Sequence, residues 1–113
     1  MADCLFCKIA SKELDADVVH ESDSIMLFRD INPMAPVHVL AIPKEHIDSA
    51  ADLREQHAGL VAAMLTALVD QASKEKLDDG YRIVTNVGPD AGQSVLHLHF
   101  HLLGGRYMSW PPG

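Results

Sequence analysis

Near the end of the chain stands His97-Leu98-His99-Phe100-His101-Leu102-Leu103, and its reading decides the fold. The spacing predicts a strand over residues 97–103, because apolar residues fill every position between and after the histidines. A strand turns alternate side chains to opposite faces. His97, His99 and His101 then share one face at intervals of roughly 6.6 Å, and Leu98, Phe100 and Leu102 share the other. The apolar face is expected to bury in a core, while the imidazole row stays at a surface or cleft. One surface histidine carries no weight. Three in strict alternation, backed by an uninterrupted apolar face, make a site for proton transfer, nucleophilic attack or metal binding.

Working outward, residues 87–94 form a loop that holds Gly88, Gly92, Gln93 and Ser94. Glycine lets backbone amides approach an anionic oxygen closely, and the Ser94 hydroxyl and Gln93 carboxamide add donors. Alone, this is an ordinary turn between strands. Joined to the histidines, it favours chemistry at phosphorus. Residues 81–86 read as the preceding strand. Residues 37–42 read as another, ended by Pro43, with His38, Leu40 and Ile42 on one face and Val37, Val39 and Ala41 on the other. Residues 18–21 and 25–29 read as a hairpin around Ser22-Asp23-Ser24.

Between the third and fourth strands lies a long helix. Asp52 and Glu55 fit a capping box at its start. Leu60, Val61, Met64, Leu65, Leu68 and Val69 recur at helical spacing, and Gly80 is the expected left-handed end. Residues 4–10 read as a short helix or turn. The sum is an α+β fold: a five-stranded, mainly antiparallel sheet with one long helix and a short N-terminal helix.

The chain has 113 residues, 48% of them apolar, which suits a single domain over residues 1–113 with one core of moderate size. No apolar run approaches the ~20 residues of a membrane span. Met1-Ala2-Asp3-Cys4 lacks the pattern of a secretory signal. A cytoplasmic location and no membrane partner are therefore expected. Nine basic residues against sixteen acidic ones give a net charge of −7, which argues against binding a nucleic-acid backbone. A small nucleotide held by amides and imidazoles is still compatible. Cys4 and Cys7 form a C-x-x-C pair, and in a reducing compartment a structural disulfide is not expected.

Taken together, Gly92-Gln93-Ser94-Val95-x-His97-x-His99-x-His101-Leu102-Leu103-Gly104-Gly105-Arg106 resembles the signature of the histidine triad superfamily. Phe28-Arg29-Asp30-Ile31-Asn32-Pro33, Ala35-Pro36-x-His38 and Ile42-Pro43-Lys44-x-His46-Ile47 are similar to that family as well. The ending Met108-Ser109-Trp110-Pro111-Pro112-Gly113 resembles its nucleotide-binding Hint branch. The resemblance runs in order over nearly the whole chain.

That branch implies a homodimer that binds purine nucleoside monophosphates and hydrolyses nucleoside 5′-phosphoramidates, with no cofactor needed for catalysis. His99 would be the nucleophile, forming a nucleotidyl-histidine intermediate. Neutral imidazole suits this work at pH 7, its ordinary pKa being ~6.5. His101 would contact the phosphate and help the amine depart, with Ser94 as a second contact for that nitrogen. His97 and His38 would complete a histidine network that orients His99. Gly92, Gln93 and the Ser94 amide would cradle the phosphate, and Asp30 would accept from the ribose hydroxyls. Phe6, Ile9, Phe28 and Ile31 would wall the base, and Asn86 would line the pocket near the sugar and phosphate. Trp110 would reach across the dimer toward the partner's site.

Cys4, Cys7, His46 and His97 match a Cys₂His₂ zinc set, which some members of the superfamily carry. Two reduced thiols, or a redox dithiol without its usual βαβ context, are the competing readings of the cysteine pair. Other functions stay open too. One is a dinucleoside polyphosphate hydrolase, which Phe100 before His101 disfavours because that branch carries glutamine in this motif. Another is a nucleotide- or partner-binding regulatory module with incidental hydrolysis. The last is a zinc protein that uses the triad itself as ligands.

Overall fold

The computed structural model describes residues 3–113. Its elements in chain order are α1 (Leu5–Ala10), β1 (Val18–Glu21), β2 (Ile25–Arg29), β3 (Val37–Pro43), α2 (Ala58–Lys74), β4 (Tyr81–Val84) and β5 (Phe100–Gly104). Five strands form one antiparallel sheet in the order β1-β2-β3-β5-β4. The last strand therefore inserts between β3 and β4, and the histidine segment ends up in the middle of the sheet. No helix is long and apolar enough to cross a membrane.

Period-two alternation divides the core between the two faces of the sheet. Ile25, Leu27, Val39, Ala41, Leu98, Phe100 and Leu102 pack on one face against Met64, Leu68 and Ala72 of α2. Met26, Phe28, Leu40 and Ile42 occupy the other face, under Phe6 and Ile9 of α1. Because both faces are covered, β2 and β3 are buried almost throughout and carry apolar residues on both faces rather than on one. Leu68 is wholly buried, and truncating such a leucine to alanine costs about 3 kcal/mol.

Several boundaries differ from the sequence expectation. The long helix does not start at Asp52. Ser49 caps a 3₁₀ turn over Ala50–Asp52 by accepting from the Ala51 amide. A second 3₁₀ turn spans Glu55–His57, and regular helix begins only at Ala58. Nor does Gly80 end the helix. Lys76, at φ 59°, is the left-handed residue. Its amide donates to Ser73 O at 3.1 Å and that of Leu77 to Ala72 O at 3.0 Å, a Schellman motif closed without glycine. The fourth strand stops at Val84 rather than residue 86. The fifth begins at Phe100 rather than residue 97, so His97 and His99 lie on the non-strand approach to β5.

Candidate functional site

The three histidines do lie on one side of the sheet, the α1 side, but the imidazole row is not at the surface. His97 is 0% and His99 5% exposed. The short helix α1 covers them: the Phe6 ring stands edge-on to His99 at 5.0 Å between centroids and to His97 at 5.9 Å. The covering element was visible in the sequence, but which face it would take was not.

His99 owes its orientation to the backbone. Its Nδ1 lies 2.7 Å from His97 O. A carbonyl only accepts, so Nδ1 carries a proton, and in the neutral ring Nε2 keeps its lone pair. Nε2 is thus the one ring nitrogen free for a ligand. His99 lines a cavity of about 360 Å³, together with Phe6, Ile9, Phe28, Asp30, Ile31 and Leu40 on one side and Ser94, Val95 and His101 on the other. All four expected base-wall residues, Asp30, Ser94 and two of the three triad histidines therefore meet in one cleft. Ile31 belongs to its outer rim, being 91% exposed.

The expected histidine network exists, but in a different arrangement. His38 contacts His101, not His99. The two sit diagonally on β3 and β5, where Leu40 pairs with His101 and His38 with Leu103. The Met34 amide donates to His38 Nδ1 at 3.1 Å. The His38 proton therefore lies on Nε2 and is donated to His101 Nδ1 at 2.9 Å. In neutral His101 the remaining proton is then on Nε2. Asp30 Oδ2, 3.5 Å from His38 Nε2, favours the same assignment. The other Asp30 oxygen accepts from the Asn32 amide at 2.8 Å, fixing the loop as an Asx turn. Asp30, His38 and His101 are close enough to hold a metal. An ion on His38 Nε2 would, however, drive the proton onto Nδ1, against the Met34 N–H. The trio is a hydrogen-bond relay. Burial, with His99 and His38 beside it, pushes the His101 pKa down to about 4, and burial lowers that of His38 too.

The His97 side chain plays no part in this network. Its imidazole turns to the other cluster, and only its carbonyl orients His99. Cys4 Sγ and Cys7 Sγ lie 3.3 and 3.6 Å from His97 Nδ1, and Cys7 Sγ lies 3.3 Å from His46 Nδ1. Tetrahedral Zn–S and Zn–N bonds imply an S···N edge of about 3.6 Å. Each imidazole also donates its far proton to an oxygen, His97 Nε2–H to Pro43 O at 2.9 Å and His46 Nε2–H to Asp48 Oδ1 at 2.7 Å. Both Nδ1 lone pairs therefore converge with the two free cysteines, and the outer partners that fix metal-binding imidazoles are already in place. Burial, then the neighbouring Cys4, raises the Cys7 thiol pKa, a cost that a cation reverses. The donor set fits a thiophilic divalent ion, and Asp48 is an outer partner that spacing alone did not reveal.

Gln93 does not offer its carboxamide to the cleft. Oε1 accepts from the Gly88 amide at 2.9 Å, and Nε2 donates to Asp48 O and Val95 O at 2.8 and 3.1 Å. Its side chain braces the loop, which leaves the backbone for ligand contact. Among the described residues, Asn86, Gly92, Gln93 and Trp110 stand outside the cavity lining. Trp110 is 80% exposed.

A family model described as "Scavenger mRNA decapping enzyme C-term binding" matches residues 3–110. The 14 kDa zinc-binding protein of Zea mays is 47% identical over 111 residues, covering 96% of this chain and 87% of that one. Adenylylsulfatase HINT1 of Arabidopsis thaliana is 45% identical over 111 residues, covering 96% and 76%. The crystal structure of a HIT family hydrolase from Legionella pneumophila Philadelphia 1 superposes with a TM-score of 0.96 at 50% identity, covering 98% of this chain and all of that one. With a family model matching residues 3–110, relatives 45–47% identical over 111 residues and a HIT family hydrolase of the same fold at 50% identity, the chain belongs to the histidine triad family.

Proposed function

We propose that this chain is a purine nucleoside phosphoramidase that forms a nucleotidyl-histidine intermediate. The observation that carries the reading is the His99 geometry: Nδ1–H held by His97 O, which in the neutral ring leaves the Nε2 lone pair free, in a residue that lines the cleft. The base stacks among Phe6, Ile9, Phe28 and Ile31, and Asp30 faces the ribose. Backbone amides of the loop from Gly92 to Ser94 meet the phosphate. His99 Nε2 attacks phosphorus, the P–N bond breaks, and the electron pair leaves with nitrogen. At neutral pH His101 donates its Nε2–H to a phosphate oxygen. An anionic phosphate beside it favours proton uptake on the His101–His38 relay, which then supplies the proton that an amine needs to depart. Ser94 is the second donor at that nitrogen. Water cleaves the P–N bond to His99, releasing the monophosphate and restoring the imidazole.

The Arabidopsis relative's name, Adenylylsulfatase HINT1, favours a second substrate of the same chemistry. A nucleotidyl sulfate presents the same phosphorus with a leaving group that needs no proton. The dinucleoside polyphosphate and purely regulatory readings lack such support.

Zinc at Cys4, Cys7, His46 and His97 completes the proposal. It would hold α1 to the histidine segment and take no part in bond breaking. We place the enzyme in the cytoplasm, a reducing compartment that suits its free thiols. We take it to be a homodimer, for which the open edge of β4 and the half-exposed Tyr81 and Val69 offer a surface. Trp110 would then act at the partner's site. The test is hydrolysis of an adenosine 5′-phosphoramidate by the wild type and by His99→Asn. Turnover should vanish in the variant while adenosine monophosphate still binds. Retained turnover refutes the nucleophile.

A further inference from the structure

The Gly104-Gly105-Arg106 motif is unused by this chemistry, and its geometry is specific. A Cβ at Gly104 would meet Leu77 Cδ1 at 2.5 Å. Gly105, at φ +92°, brings the chain so close to Pro36 that a Cβ would lie 2.9 Å from the proline Cβ. Gly104 thus closes the end of β5 against Leu77 after α2, and Gly105 presses the chain that follows against the loop between β2 and β3. Arg106 follows and reaches into that loop. Its Nε and Nη2 donate to Met34 O at 3.1 and 3.0 Å, and its Nη1 donates to Tyr107 O at 3.1 Å. The other end of the same residue, the Met34 N–H, is the donor to His38 Nδ1.

We infer that Arg106 is a positioning residue that sets the tautomer of the His38–His101 relay through the backbone of Met34. Met34 is 70% exposed, so packing does little to hold this residue. The fork of two N–H donors fixes the peptide after Met34, which restrains rotation at the Met34 Cα and so holds the N–H of the preceding peptide toward His38 Nδ1. With Nδ1 accepting, Nε2 must carry the proton. His101 Nδ1 must then accept, and His101 presents Nε2–H to the cleft. Release of Met34 lets His38 adopt the opposite tautomer, in which Nε2 is bare and faces another bare nitrogen on His101. The hydrogen bond between the rings is lost, and His101 is free to turn its proton away from the phosphate. The chain of contacts runs Arg106, Met34, His38, His101, with Asp30 Oδ2, 3.5 Å from His38 Nε2, favouring the same tautomer from the other side of the ring.

The inference rests on the phosphoramidase reading for its catalytic consequence, but its first readout is independent of activity. Nitrogen chemical shifts of ¹⁵N-histidine-labelled protein at pH 7 report which ring nitrogen bears the proton. The wild type should show His38 as a single Nε2–H tautomer. In Arg106→Gln an Nδ1–H population should appear. Losing one hydrogen-bonded constraint should lower kcat about fivefold, with KM nearly unchanged, and Arg106→Lys should restore part of the loss. Met34→Pro deletes the amide hydrogen in a loop already rich in proline. It should give the same tautomer change, and it serves if Arg106→Gln folds poorly. An unchanged His38 spectrum in both variants overturns the inference, whatever happens to kcat, and would make Arg106 a plain structural brace. A tautomer change in the variants, with a wild type that lacks phosphoramidase activity, sustains the inference and removes the proposed function instead.

Discussion

Acidification from pH 7 to 5 should remove about 2 kcal/mol of folding stability through His101 alone. Burial and the two neighbouring imidazoles hold its pKa at about 4 in the folded chain, against ~6.5 for an unfolded histidine. Between these values the unfolded chain binds a proton that the folded chain refuses, so stability rises with pH. The contribution is intact above the unfolded value, declines as the pH falls below it, and stops changing once both states are protonated. Integration over the interval gives about 3 kcal/mol in all, of which about 2 kcal/mol is lost by pH 5. Glu21 and Glu75, lowered by their hydrogen bonds to Lys44 and Arg29, act in the same direction at lower pH. They cancel when the wild type is compared with His101→Gln. Urea unfolding at the two pH values should show the wild type losing about 2 kcal/mol more than the variant. Proton NMR of the ring should find its midpoint near 4 in the free protein and higher with a monophosphate bound. A His101 midpoint at 6 or above, with parallel stability losses in the two proteins, refutes the account of its environment.

Two further perturbations read the cleft and the tail. Phe6 is 5% exposed and stands edge-on to both Phe28 and His99, so Phe6→Ala should cost about 3 kcal/mol in urea unfolding. It should also weaken adenosine monophosphate binding by calorimetry, and unchanged binding would remove Phe6 from the base wall. Truncation after Tyr107 should shift relative rates across a series of amine leaving groups while leaving monophosphate affinity intact. Rates that keep their ratios assign Trp110 to packing alone.

The sheet and the two helices were legible because their signals are local. Alternation in residues 37–42 named both faces of β3 correctly, and the apolar stripe of α2 named Met64 and Leu68 at its buried centre, though Val69 is half-exposed and the buried Gln71 and Ala72 lay outside it. Helix ends were less legible, because Asp52 and Glu55 make a good capping box on paper while Ser49 starts a 3₁₀ turn first. Lys76 then takes the left-handed position that a glycine was expected to fill. Within the site, residue identities were readable but partners were not. The alternation of His97, His99 and His101 says that they share a side of the sheet, but not that one ring turns to Cys4 and Cys7 while the next meets Phe6. Gln93 and Asp48 show the same gap: a carboxamide beside glycines suggests a ligand donor, and only the fold reveals that its bonds are already committed.

His97 joins the two centres, because its ring faces the sulfur cluster and its carbonyl holds His99. That arrangement fixes what metal removal should do. The proposed ion ties α1, through Cys4 and Cys7, to the loop carrying His46 and to the approach to β5. At a thousandfold excess of metal over Kd, such binding stabilises the fold by about 4 kcal/mol, or about 15 °C in a chain of this size. A chelator, or Cys7→Ser with His46→Asn, should therefore lower the melting temperature by an amount of that order, and metal analysis should give one zinc per chain. The effect on chemistry should be selective. Without the ion the His97 peptide is held only by its remaining hydrogen bonds, so His99 loses part of its orientation and kcat should fall. Phe6 and Ile9 ride on α1, but Phe28, Ile31 and Asp30 lie outside the tied segments, so monophosphate affinity should fall less than kcat. Loss of monophosphate binding in parallel with kcat would show that the cluster supports the whole cleft rather than the nucleophile. A melting temperature unmoved by chelation, with no zinc found, would show that the four donors hold no metal.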